Sequence, residues 1–289
     1  MITVFTPTYN RCVLINRLYM SLCAQTSFDF EWLVIDDGST DNTKTFFNSL
    51  PISDFPIRYI HKENGGKHRA INMAAKAARG EWFFIVDSDD YLRGDAIETL
   101  NRYLKEIEND ARFCGVTALR ITLDGICIGT PCAYQILDTD YLSYRSKYKI
   151  VGDRAEVVRS SIIRSFPFPE IEGEKFCTEA VVWNRIAQKY ICRYVNESIY
   201  YCDYQEGGLS DTYRQIMRNS PYYSMIYARD KMTFKALTFK EKIIAAIEYL
   251  YFLRIARFKL IKEVYPPIIF YFYILFTPPV ALYMKIKKK

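Results

Sequence analysis

Three carboxylates fall within four residues in Asp87-Ser88-Asp89-Asp90, directly after the apolar run Trp82-Phe83-Phe84-Ile85-Val86. Oxygen donors of this kind suit hard divalent ions such as Mg²⁺ or Mn²⁺, and a site with few protein ligands leaves positions for a substrate's phosphates. The same letters also spell a polar turn after a strand, since Asp and Ser are common turn residues. Two further segments carry compatible chemistry. In Asp36-Asp37-Gly38-Ser39, either Asp36 or Asp37 could accept from the imide N–H of a nucleobase. In Asn64-Gly65-Gly66-Lys67, the glycines let backbone approach a ligand closely, and Lys67 and Arg69 could neutralise a diphosphate. No Gly-x-x-x-x-Gly-Lys-Ser/Thr sequence is present, and Gly65-Gly66 makes no Gly-x-Gly-x-x-Gly fingerprint, which disfavours ATPase and dinucleotide chemistry.

These residues need elements to bring them together. Ile2–Phe5, Glu31–Ile35, Ile57–Ile60 and Glu81–Val86 read as strands, alternating with helical patterns at Arg11–Gln25, from Ser39-Thr40-Asp41, at Lys67–Ala78 and at Asp95–Glu108. Such alternation implies βαβ units and a mainly parallel sheet. In open sheets of this class ligands bind outside the carboxyl ends of the strands. Each suggestive segment sits at such an end, as does Thr6-Pro7-Thr8-Tyr9-Asn10 after the first strand. Further on, Phe113–Leu123 reads as a strand, Thr178–Gln188 as a helix, and Cys192–Val195 and Ser198–Tyr204 as two short strands.

Taken in order, Thr6-Pro7-Thr8-Tyr9-Asn10-Arg11, Val34-Ile35-Asp36-Asp37-Gly38-Ser39-Thr40-Asp41, Asn64-Gly65-Gly66-Lys67 and Val86-Asp87-Ser88-Asp89-Asp90 resemble the family 2 glycosyltransferases over roughly residues 1–110. The resemblance implies a GT-A (Rossmann-like) α/β fold with a central sheet flanked by helices. It also implies a nucleotide-sugar donor, most often a UDP-sugar, and an inverting displacement at the anomeric carbon. Carried over by residue, Pro7, Tyr9 and Asn10 would lie along the nucleoside and Asp37 would bind the uracil. Asp87 would meet the ribose or the metal, with Ser88 beside it, and Asp89 would coordinate Mg²⁺ or Mn²⁺ at the diphosphate. Asp90 reads as structural.

Inversion also needs a base for the acceptor's hydroxyl proton. Family members usually supply the Asp of a Glu-Asp pair opening a helix. The matching segment here is Cys177-Thr178-Glu179-Ala180-Val181-Val182-Trp183-Asn184-Arg185, which puts Glu179 at that position and lacks the pair. Glu172 and Glu174 are alternatives, and a first-turn Glu is also favoured by the helix dipole alone. Gly207 and Gly208, in Tyr204-Gln205-Glu206-Gly207-Gly208-Leu209-Ser210, resemble the family's acceptor-side segment. Gln215-Ile216-Met217-Arg218-Asn219 lacks the Trp of the processive members' Gln-x-x-Arg-Trp, which argues for transfer of a single sugar. A nucleotidyltransferase on a similar fold and a non-catalytic nucleotide-sugar binder are the rival readings.

Charge divides the chain unevenly. Residues 213–289 hold 15 Lys/Arg against 4 Asp/Glu, leaving 24 against 29 for residues 1–212. The expected organisation is a catalytic domain over 1–212, with a nucleotide-sugar half at 1–110 and an acceptor half at 111–212, and a helical membrane-associating tail over 213–289. Residues 264–284 carry no charge, but Pro266-Pro267 and Pro278-Pro279 leave only Ile268–Thr277 as uninterrupted helix, about 15 Å at 1.5 Å per residue. That is half a hydrocarbon core. An interfacial or re-entrant segment fits better than a span, and Phe239–Lys262 reads as a basic amphipathic helix of the kind that lies on anionic membranes. No nucleic-acid module accompanies the basic charge. Ile2 to Phe5 already reads as a strand with no signal peptide before it, and the eight cysteines form no Cys-x-x-Cys pair. The expectation is a cytoplasmic protein with reduced, mostly buried thiols, peripheral or re-entrant at the membrane's cytoplasmic face.

Overall fold

The computed structural model describes residues 1–131, 133–202 and 209–276. The chain divides into two compact units, one of residues 1–167 and 189–205, the other of 168–188 and 206–289. The segment around Glu179 thus packs with the residues after 206.

The first unit is built on one sheet. Its strands are β1 (Ile2–Thr8), β2 (Phe30–Asp36), β3 (Ile57–His61), β4 (Trp82–Ile85), β5 (Tyr91–Leu92), β6 (Phe113–Thr122), β7 (Ile136–Thr139), β8 (Arg154–Arg159) and β9 (Ile191–Cys202). The sheet runs β3-β2-β1-β4-β8-β6-β9-β5, with β7 also paired to β9. The half from β3 to β4 is parallel throughout, with β1 central: Thr8 lies opposite Asp36, and Phe5 opposite Ile85. Beyond β4 the pairing is mixed, since β8 is antiparallel to both its neighbours while β6 and β9 run parallel. The helices α1 (Cys12–Cys23), α2 (Thr43–Asn48), α3 (Lys67–Ala77), α4 (Ala96–Ile107), α5 (Tyr141–Ser146) and α6 (Ser160–Ser165) complete this unit.

The strand sequences explain the layering. Every residue of β1 and β2 is buried, as near-continuous apolar runs in a sheet covered on both faces should be. One core is filled by Trp32, Phe30, Phe84, Leu18, Leu22 and Leu100. Phe5 and Phe83 stack at 5.3 Å between ring centroids. The charge inside β2, Glu31, is fully satisfied: it accepts from the Thr3 hydroxyl at 2.7 Å, the Arg79 amide at 2.7 Å and the Arg58 guanidinium at 3.0 Å.

Two local expectations are corrected. As far as Cys202, the pair of short strands expected at 192–195 and 198–204 is one strand, β9, whose irregular register against β6 between Thr117 and Leu119 absorbs Asn196 and Glu197, while 203–204 lie outside the described residues. Within this strand Glu197 pairs with Arg102 and Arg93 at 3.1 and 3.5 Å. The helix expected over Phe239–Lys262 stops at Ile255, where Arg257 and Phe258 take positive φ (53° and 59°).

The second unit contains α7 (Ala180–Ile186), α8 (Leu209–Asn219), α9 (Pro221–Thr233), α10 (Phe239–Ile255) and α11 (Ile269–Ile274). A capping box opens α10: the Thr238 hydroxyl accepts from the Glu241 amide, and the Glu241 carboxylate accepts from the Thr238 amide at 2.8 Å. Lys231 of α9 pairs with Glu248 of α10 at 3.2 Å. Among the described residues no helix is long and apolar enough to cross a membrane. Of the cysteines, Cys114, Cys177, Cys192 and Cys202 are buried, Cys12 and Cys127 half-buried and Cys23 exposed, all as free thiols. Cys132 lies outside the described residues.

Candidate active site

Because β3, β2, β1 and β4 are parallel neighbours, the loops after them emerge along one edge, and side chains join them in a closed circuit. The loop after β1 is tied to that after β2: the Asn10 amide donates to Ser39 Oγ at 2.8 Å, and the Thr40 amide donates to Asn10 Oδ1 at 2.8 Å. Asn10 sits at φ 53°, a conformation Asn tolerates better than most residues. The loop after β2 is tied to that after β3 through Asp37, which accepts from the Gly65 amide at 2.9 Å, the Gly66 amide at 2.7 Å, the Lys62 ammonium and, more weakly, the Asn64 side chain at 3.4 Å. From the third loop, Lys67 at the first turn of α3 pairs with Asp87 after β4 at 2.5 Å. Arg11 closes the circuit from the first loop by facing Asp89 at 3.5 Å, while Arg17 donates to the Asp89 carbonyl at 2.6 Å.

Two glycines are required by this geometry. Gly38 has φ 87°, and a Cβ there would stand 2.8 Å from the Asn64 amide nitrogen. Gly66, at φ 97°, makes the turn that lets its amide point at Asp37 before α3 begins.

The residues singled out in the sequence meet here, with roles that the letters did not reveal. Asp36 is buried and accepts from the Ser39 amide at 2.7 Å and from the Tyr59 hydroxyl. Burial and the Asp36 carboxylate push the Tyr59 hydroxyl well above its ordinary range. Asp37 is also buried, and its partners fill the four acceptor positions of a carboxylate. Both aspartates therefore organise loops in this structure. Pro7 is buried within β1, Tyr9 is exposed, Ser88 is buried, and Arg69 donates to the Gly65 carbonyl at 2.9 Å.

A buried guanidinium from β6, absent from the sequence reading, balances the acidic cluster. Arg120 is only 11% exposed and faces Asp87 at 3.7 Å, Asp90 at 4.0 Å and Glu156 at 3.9 Å. It lies 4.3 Å over the ring of Tyr200 on β9, and the Tyr200 hydroxyl in turn accepts from the Asp87 amide at 2.9 Å. Burial alone would raise the Asp87 carboxyl, but Lys67 and Arg120 outweigh it and hold the group below its ordinary range. Asp89 and Asp90 go the other way: burial and the charge of Asp87 push both up, Asp90 to about 6.

Among the described residues no three His, Cys, Asp or Glu side chains converge as a ready cage for a metal ion. The donor set fits a hard cation in a more open manner. Asp89 is a partly exposed carboxylate destabilised by a like charge beside it, which a cation would relieve, and the remaining positions would fall to water and substrate phosphates.

The proposed base belongs to the second unit. Glu179 is half-buried at the start of α7, where its carbonyl accepts from the Val182 and Trp183 amides at 2.9 and 3.1 Å. Glu174 is committed elsewhere: its buried carboxylate accepts from the Tyr222 and Tyr223 amides at 2.8 and 2.9 Å and so caps α9. Burial raises its pKa. Glu172 is exposed. Arg218 of the Gln-x-x-Arg segment donates to the Tyr251 hydroxyl at 2.8 Å. Gly207 and Gly208 lie outside the described residues.

Comparison with known proteins gives this arrangement a family. Residues 3–121 match the model of glycosyl transferase family 2. Glycosyltransferase GlyG of Streptococcus pneumoniae serotype 4 is 36% identical over 111 residues, 38% of this chain and 37% of GlyG. Chondroitin synthase of Pasteurella multocida is 38% identical over 107 residues, 37% of this chain and 11% of the synthase. The match thus spans little more than a third of GlyG and about a tenth of the synthase. Among solved structures, S. aureus TarS 1–349 in complex with UDP-GlcNAc superimposes with a TM-score of 0.62 at 20% identity, over 89% of this chain and 83% of that one. The mannosyltransferase PcManGT from Pyrobaculum calidifontis, in complex with GDP-Man and Mn²⁺, gives 0.53 at 18% identity, over 91% and 76%. These likenesses give the chain the same GT-A-like fold. With its motifs in the family's order at the carboxyl edge of a parallel sheet, the segment of residues 3–121 matches the family 2 glycosyltransferases.

Proposed function

We propose that this protein is an inverting glycosyltransferase that moves one sugar from a UDP-sugar to a lipid-linked or cell-surface glycan. The observation that carries the reading is the closed circuit of four strand-end loops, in which acidic and basic side chains at one sheet edge hold one another in place. TarS, of like fold, has been solved with UDP-GlcNAc, which favours a uridine nucleotide over the guanosine nucleotide of the more distant PcManGT.

In this reading Pro7, Tyr9 and Asn10 line the nucleoside, on loops held by Asp36 and Asp37, and Lys67 and Arg69 supply positive charge to the diphosphate. A cation held by Asp89, with Asp87 beside it, would offset the negative charge that develops on the leaving nucleoside diphosphate. The acceptor's hydroxyl oxygen forms the new bond to the anomeric carbon as the bond to the diphosphate oxygen breaks, and its proton passes to Glu179. Gly207 and Gly208 would flank the acceptor. The basic tail keeps the enzyme at the cytoplasmic face of an anionic membrane, where a lipid-linked acceptor would be found.

The test is product analysis over a panel of nucleotide sugars with and without Mg²⁺ or Mn²⁺. Release of nucleoside diphosphate is expected, with Glu179→Gln losing on the order of 10²–10⁴-fold in transfer while binding donor normally. Pyrophosphate as product, or no turnover and no donor binding, would overturn the reading. Full activity in Glu179→Gln would remove that residue as the base.

A further inference from the structure

The sequence offers two stretches of the tail for membrane contact, an interfacial or re-entrant segment within 264–284 and the basic helix beginning at Phe239, but the structure uses that helix for packing. Ala245, Ala246, Ile247, Tyr249 and Phe252 of α10 are buried, and the Tyr249 hydroxyl donates to the Val264 carbonyl at 2.7 Å. Apolar surface is left exposed further along. On α11, Phe270 and Tyr273 turn inward, and Phe270 packs against Tyr249 at 4.9 Å. The opposite face turns outward: Ile268 is 91% exposed, Leu275 77% and Tyr271 63%, with Phe272 and Phe276 about half exposed. The ring of Phe239 joins them, 5.3 Å from Phe276 and 6.2 Å from Phe272.

Isolated exposed apolar residues are ordinary, whereas a set of this size on one short helix and the residues flanking it marks a contact surface. Charge indicates what it contacts. The stretch leading into α11 exposes Arg254, Arg257, Lys259 and Lys262, opposed by Glu263. Aromatic and branched apolar side chains beside a cationic stretch match the layered chemistry of an anionic lipid surface: acyl-chain boundary, then phosphate headgroups. A second protein copy would match the apolar face but gives no reason for four cations beside it.

We propose that the outward face of α11, together with Phe239, inserts at the headgroup–acyl boundary of an anionic bilayer, with Arg254, Arg257, Lys259 and Lys262 meeting lipid phosphates. This assignment rests on the membrane role proposed above for the tail, and narrows the contact to the outward face of α11, with α10 kept for packing. The six-residue helix is too short to cross, so it lies in the interface.

The experiment is flotation of the full chain with phosphatidylcholine vesicles, with and without phosphatidylglycerol, at low and high salt. Binding is expected to require phosphatidylglycerol and to weaken with salt. The exposed-site double variant Ile268→Ser/Leu275→Ser should lose at least roughly tenfold in vesicle affinity. Lys259→Gln/Lys262→Gln should lose binding and salt sensitivity together. Circular dichroism and nucleoside diphosphate release from donor in solution, unchanged in both variants, separate this outcome from misfolding and from failure of the transferase reading. Wild-type protein that ignores phosphatidylglycerol, or a double variant that floats like wild type, would overturn the proposal. So would a dimer that becomes monomeric in the double variant with vesicle binding intact, which would make the face a contact between copies.

Discussion

Replacing Asp37 by Asn separates two roles that one carboxylate can play. If Asp37 mainly reads the nucleobase, the substitution should leave the fold alone and weaken donor binding. The structure points to a clamp instead, because the carboxylate accepts two backbone amides, an ammonium and a side-chain amide. Asparagine keeps one acceptor oxygen and sets an NH₂ group against donors on the other side. One buried amide left facing a donor costs about 1–3 kcal/mol, and a hydrogen bond to a charged group contributes about 1.5–3 kcal/mol. Lys62 is 14% exposed and reaches some water, so the low end of the second range applies. The sum is roughly 3 kcal/mol, about 10²-fold in the folding equilibrium. Urea unfolding in a Trp183→Phe background, where Trp32 and Trp82 report the first unit, measures it. UDP titration by calorimetry on the same samples gives the binding side. A loss below about 0.5 kcal/mol, within the range of an indifferent surface change, together with a large fall in UDP affinity would refute the clamp.

The Arg120 site should be less forgiving. Arg120→Met leaves Asp87, Asp90 and Glu156 without their shared counter-charge, and loss of about 3–5 kcal/mol is expected in the same unfolding assay, with loss under 1 kcal/mol counting against the network. Glu31 provides a pH test. Burial alone would raise its carboxyl, but the Arg79 amide, the Thr3 hydroxyl and Arg58 hold it below the ordinary 4.5. A depressed folded-state pKa contributes stability that is present above the unfolded value and lost as pH falls through the folded one. The stability gap between wild type and Glu31→Gln should therefore be constant at neutral pH and shrink progressively below about 4.5, as followed by urea midpoints; a gap independent of pH would refute the assignment.

Several elements were legible because their physics is local. β1, β2 and β4 are buried on both faces, so each wrote an unbroken apolar run, and the polar loops at their ends followed from parallel topology. What escaped was non-local. β8 begins and ends in arginine, and only in the fold do those charges find partners: Arg159 lies over the Trp82 ring at 4.4 Å and donates to the Glu108 carbonyl at 2.7 Å. Arg120 looked like one polar residue in a strand, since nothing near it in sequence indicates that Asp87, Glu156 and Tyr200 will surround it. Asp36 and Asp37 were recognisable as important. Whether their partners would be a ligand or their own loops depended on backbone amides that no letter encodes.

The guanidinium of Arg120 also limits how far this protein can be treated as modular. The family match ends at residue 121, just past Arg120, yet the ring that guanidinium rests on and the hydroxyl that receives the Asp87 amide belong to Tyr200, far downstream. A chimera that grafts residues 1–121 onto the downstream part of another chain would transplant a charge without its seat. Recombination between such chains would have to carry β9 along, or supply its own aromatic at that place, for the grafted segment to keep its acidic loop in order.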